Sequence, residues 1–146
     1  MIDDAELPDD VAAMRALLMQ DEDLKELVGQ RIFGQELPPN MQMADALPQN
    51  AVLLQDTTGA PGILGYSRLR EPYYNVFALG ETPELAKRVY LRVRQILRQM
   101  RRQVVNECLI HSFDQTNPPQ FARDPQTKWP YFRSVWKSLS SDQQAA

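Results

Sequence analysis

The sequence predicts an α+β domain: a mainly antiparallel sheet of about four strands, one long helix packed across one face, and short helices at the N-terminal end. Three observations lead there. A helix-period apolar stripe runs from Leu85 to Met100 and on to Val104. Short runs rich in aromatic and β-branched residues lie on either side of it. Proline- and glycine-rich stretches separate those runs. At 146 residues the chain suits one domain, expected over residues 1–139, with "SSDQQAA" as a disordered tail over 140–146.

The elements follow in order. In "PDDVAAMRALLMQ", Val11, Met14, Leu17 and Leu18 recur at helical spacing behind Asp9 and Asp10, which predicts a helix from Asp9 to Met19. "DEDLKELVG" predicts a second, short helix with Asp21 as its cap, Leu24, Leu27 and Val28 as its apolar face and Gly29 as its stop. "RIF" begins an extended piece, and Gly34–Gln49, with three prolines and no period, is loop. "NAVLLQDTT" reads as a strand, "TGAPGILGY" as a connector, and "REPYYNVFALG" as the clearest strand of the chain. After the long helix, "NECLIHSF" and "YFRSVWKSL" read as strands flanking the proline-rich loop "DQTNPPQFARDPQTKWP".

The long helix starts at Thr82-Pro83-Glu84: a hydroxyl cap, a proline tolerated in the first turn, and a carboxylate at the positive end of the dipole. Lys87, Arg88, Arg92, Arg94, Arg98, Arg101 and Arg102 fall outside its apolar stripe, seven of the chain's sixteen basic residues. Such a run is first of all a solvated face. Leu91 interrupts it, with Lys87, Arg94, Arg98 and Arg102 as neighbours on the helical projection. It is either a lone surface leucine or the centre of a protein contact. The charge is unevenly spread: up to Glu26 there are nine acidic residues against two basic ones.

Chemistry finds little support. No phosphate-cradling GxxxxGK[ST], GxGxxG, HExxH or GxSxG pattern occurs, and one histidine with one cysteine makes no structural zinc set. His111 and Cys108 read as packed strand residues, so no catalytic, cofactor or metal residue is expected. No apolar run is long enough for a membrane span, and "MIDDAELPDD" is too acidic for a signal peptide. A net charge of −3 argues against a dedicated nucleic-acid binder, although Lys87, Arg94, Arg98 and Arg102 could contact phosphates without reading sequence.

Three segments carry a resemblance. "LLMQDEDLKELVGQRIFG" joins a short helix to an extended piece; "YYNVFALGETPELAKRVYLRVRQIL" leads an aromatic strand into a helix through a T-P-E-x-A turn; and "DPQTKWPYFRSVWKSL" sets an Asp-Pro-Thr-Trp segment before the last strand. Together, from Leu17 to Leu139, the chain resembles the tail-terminator, or tail-completion, family of long-tailed bacteriophages. The resemblance implies a cofactor-free structural protein of the virion neck, assembled in the host cytoplasm. It implies a homohexameric ring that caps the tail tube, meets the tail-tube protein and the head-side connector, and lets genomic DNA pass. A head-closure adaptor of the same neck is the neighbouring alternative. For such a ring, Lys87, Leu91, Arg94, Arg98, Arg102, Trp129 and Tyr131 are candidate interface residues. Asp9, Asp10, Asp21, Glu22 and Asp23 form a candidate complementary acidic patch.

Overall fold

In the computed structural model, which describes residues 10–43, 45–56 and 71–142, helices form where apolar spacing meets a cap. Helix α1 (Asp10–Met19) buries Val11, Met14, Leu17 and Leu18. Helix α2 (Glu22–Val28) begins where the Asp21 carboxylate accepts the Leu24 N–H at 2.8 Å. It stops at Gly29, whose φ of 61° is a left-handed conformation that side chains resist. Helix α3 (Pro83–Gln99) starts where the Thr82 hydroxyl accepts the Leu85 N–H at 3.2 Å, and it buries Ala86, Val89, Tyr90, Val93 and Leu97.

The sheet is larger than expected. Among the described residues it holds seven strands: β1 (Ile32–Gly34), β2 (Ala51–Asp56), β3 (Tyr73–Leu79), β4 (Gln103–Val105), β5 (Cys108–Gln115), β6 (Gln120–Arg123) and β7 (Pro130–Asp142). Their order is β1-β2-β3-β7-β5-β4, with β6 also on β7; β1 and β2 run parallel and the other pairs antiparallel. So the expected four mainly antiparallel strands become seven of mixed direction.

Two of the additional strands were concealed for different reasons. The stripe through Val104 looks like a continuing helix, but α3 ends at Gln99 and Val104 is 47% exposed in β4. Pairing with β5 through a two-residue turn, Asn106 and Glu107 at φ 48° and 65°, overrides the helical spacing. Strand β6 lies within the proline-rich stretch and forms because β7, at thirteen residues, offers an edge long enough for two partners. Residues Tyr131–Lys137 of β7 pair with β3, while its other edge takes β6 first and β5 after. Strand β7 also runs into the expected tail: Ser140 and Ser141 are buried strand residues. Residues 143–146 lie outside the described residues, as do Asp9 and the connector "TGAPGILGY", Thr58–Tyr66.

Helix α1 touches both β1 and β4, at opposite ends of the strand order, so the sheet curls around a core that α1 and α3 close. Trp136, Tyr74, Met14 and Leu18 sit in it, fully buried. A smaller cluster on the other face joins Met41, Ala51, Leu53, Leu79 and Trp129, with Leu37 packed against it. The loop over Gly34–Gln49 therefore contributes buried side chains as well as surface. In β5 a register shift between Ile110 and Ser112 leaves His111 as the extra residue, which turns Phe113 to the same inner face as Cys108 and Ile110.

Candidate functional site

An open groove of about 810 Å³ runs along α3. One wall is Lys87, Leu91, Arg94 and Arg98, spaced so that they stack along a single line of the helix. The other is Thr116–Pro119, the segment between β5 and β6. Tyr90 and Phe113 form part of its lining between the two walls. The Tyr90 hydroxyl donates to Gln115 Oε1 at 3.2 Å, and Gln115 Nε2 lies 2.9 Å from the same hydroxyl oxygen and 3.0 Å from the Asn117 carbonyl. The Asn117 side chain in turn accepts the Val135 N–H at 3.0 Å. These bonds tie the loop wall to α3 and β7, so the groove is a built feature of the fold. Tyr90 stacks on Phe132 at 6.0 Å between centroids, and Phe132 meets Phe121 at 5.2 Å. Phe121 is 47% exposed beside this aromatic row.

Electrostatically the groove is basic. Lys87, Arg94 and Arg98 face one acid, Asp114, and among the described residues none of the three cations is in an ion pair. Leu91, 44% exposed, stands between them. Arg102 does not join this wall, because it lies beyond the end of α3. That corrects the helical projection that placed it beside Leu91.

The opposite flank of α3 packs against the acidic helix α2, whose charge is partly met by Arg92. Arg92 grips Asp21 with two contacts, Nε to Oδ2 at 2.8 Å and Nη2 to Oδ1 at 2.6 Å, and reaches Asp23 at 3.6 Å. The Arg92 hydrogen bond, helped by the Leu24 N–H and opposed by burial, lowers the Asp21 carboxyl pKa below its ordinary 3.8. The same pair holds Arg92 more firmly protonated. Asp21 is thus held as cap and ion-pair partner within the chain itself, which withdraws it from the candidate acidic patch. Glu22 and Asp23 remain exposed. Asp10 lies near Cys108, its Oδ1 3.7 Å from Sγ, at the start of α1.

Trp129 was expected at the surface and is not there. It is 1% exposed in the second core cluster, donating from Nε1 to the Ala46 carbonyl at 3.0 Å. The Asp-Pro-Gln-Thr segment explains the placement. The Asp124 carboxylate accepts the N–H groups of Gln126 and Thr127, Lys128 turns at φ 65°, and the chain swings the indole inward. Tyr131 is half-buried against Phe77, 5.5 Å between centroids. Trp136 is core.

The two chemically suggestive residues are held structurally. His111 shares a 3.2 Å contact with the Ser141 hydroxyl, and burial, with the nearby Arg102 charge, lowers its pKa. Cys108 is fully buried. Sequence reasoning did not pick out Tyr90 and Phe113 as groove lining, nor Thr116–Pro119 as the wall facing α3. Only the paired prolines Pro118-Pro119 hinted at a shaped loop there.

No protein-family model matches the chain, and the comparison with curated proteins gives no match. A solved structure does: a chain of the "Virion of native gene transfer agent (GTA) particle" superposes with a TM-score of 0.68. The alignment covers 90% of this chain and 94% of that one at 13% sequence identity, so the two share a fold.

Proposed function

We propose that the chain is a structural protein of a tailed virion or similar particle. In this reading it forms the ring that terminates the tail tube and joins it to the head connector. The observation that carries the reading is the fold likeness to a chain of a gene transfer agent particle, which extends over nearly the whole of both chains. The three segments resembling tail terminators point the same way. The groove supports it physically. An open trough with basic side chains, a leucine and an aromatic row suits the surface of another protein better than an enclosed small substrate. The proposed partners are further copies of the chain in a six-membered ring, the tail-tube protein and the connector. No bond-making step is assigned to any residue.

Electron microscopy of uncapped tail tubes incubated with the full-length chain tests this. The expected result is a ring on one end of each tube and an arrest of further growth. Tubes that keep elongating with the protein unattached would overturn it. A ring found only on the head-side connector would move the chain to the adjoining adaptor of the neck.

A further inference from the structure

Helix α3 separates two flanks of opposite charge. At about 100° per residue, Lys87, Leu91, Arg94 and Arg98 fall within about 60° of one another. Arg92, which reaches over to α2, projects about 130° away from their centre. The buried stripe of α3 lies on the far side from both, so the basic groove and α2 occupy opposite flanks of one helix. On the α2 flank Glu22, Asp23 and Glu26 are exposed carboxylates, with half-buried Lys25 3.8 Å from Glu22 and Arg92 3.6 Å from Asp23. In the groove, three cations face one carboxylate, Asp114.

We propose that in the assembled protein the acidic outer face of α2 in one copy, Glu22, Asp23 and Glu26, seats in the Lys87–Leu91–Arg94–Arg98 groove of the next. This rests on the ring reading above and names the surfaces that build the ring. The dimensions agree. Seven residues of α2 span about 10 Å, and the stretch of α3 from Lys87 to Arg98 spans about 16 Å. The charges agree as well, since a twofold contact through either patch would set like charges against each other. A heterologous contact sets each patch against its opposite, and repeated contacts of that kind close into a ring when the rotation allows. Leu91 supplies the apolar centre, and the surrounding charges guide encounter and register.

The experiment uses three versions of the full chain: the native protein, Lys87→Glu/Arg94→Glu/Arg98→Glu, and Glu22→Lys/Glu26→Lys. Circular dichroism checks that each is folded, and Lys87→Glu/Arg98→Glu replaces the triple variant if the half-buried Arg94 position does not tolerate the change. Mass is read by light scattering after gel filtration at low and high salt. The native protein assembles, and less so at high salt. Each variant alone is a monomer, with its association weakened at least ~10-fold. An equimolar mixture of the two variants assembles again, because each then meets a complementary surface on the other.

Variants that assemble like the native protein, or a mixture that stays monomeric, would overturn the pairing and leave the ring reading standing. Groove reversal that abolishes binding of duplex DNA without altering assembly would assign the groove to nucleic acid and also overturn it. A native protein that remains single in every condition would remove the ring reading, and this proposal with it.

Discussion

Asp21 does two jobs, and the second can be removed without the first. Its carboxylate caps α2 and receives the Arg92 guanidinium. Asp21→Ala loses both and is expected to cost about 1–2 kcal/mol of stability in urea unfolding. Asp21→Asn keeps a capping oxygen and loses the charge, so the gap between it and the native protein isolates the ion pair. Because the folded carboxyl titrates below its ordinary 3.8, the folded state holds fewer protons than the unfolded one as this group titrates. The stabilisation is therefore complete above about pH 4 and shrinks as the pH falls through the folded value. A native-minus-Asn gap that stays constant down to acid pH would contradict the assignment. At Glu107, the positive φ of 65° is one that glycine adopts without strain. Glu107→Gly is expected to stabilise by about 0.5–1 kcal/mol, seen as a higher melting temperature.

At the level of the elements, the β6–β7 hairpin is anchored through one indole. Trp129 fills the second core cluster and satisfies the Ala46 carbonyl, so the hairpin and the Gly34–Gln49 loop are fixed by the same side chain. Trp129→Ala is expected to cost about 3–5 kcal/mol in denaturant unfolding. Trp129→Phe keeps most of the volume and should cost less, leaving one carbonyl without its donor. Equal losses for the two would mean that the hydrogen bond, and not the packing, holds the hairpin. The junction of β3 and α3 is tighter still. A Cβ at Gly80 would lie 2.2 Å from the Ala86 backbone nitrogen, so the helix can begin that close to the strand only if Gly80 has no side chain.

For the molecule as a whole, the groove and the acidic flank belong to one curled sheet and its packed helices, so the proposed contact between copies needs little ordering. Leu91→Asp tests the contact without reversing a charge patch. The monomer should fold with unchanged stability, since Leu91 is exposed, while assembly measured by light scattering should fall sharply. Unaltered assembly would reduce Leu91 to an ordinary surface leucine. Nucleic acid is the competing occupant, and the overall charge of −3 weighs against it even though the groove is locally basic.

Local chemistry alone determined the helix starts, the α2 stop at Gly29, the buried stripe of α3 and most of the strand cores, because caps and periodicity act over a few residues. It also singled out Lys87, Leu91, Arg94 and Arg98 as one line, since helical spacing is enough for that, but it carried the line on to Arg102, past the end of α3 at Gln99. Contacts between distant segments decided the remainder. Pairing with β5 and β7 made strands of Gln103–Val105 and Gln120–Arg123, and a bulge at His111 reversed the alternation that would have faced Phe113 the other way. Arg92, one cation among seven in the run, was withdrawn from the basic face by Asp21, seventy-one positions away in the chain. A groove with one wall on α3 and the other on the β5–β6 segment exists only once both are folded together, so no local pattern could have announced it.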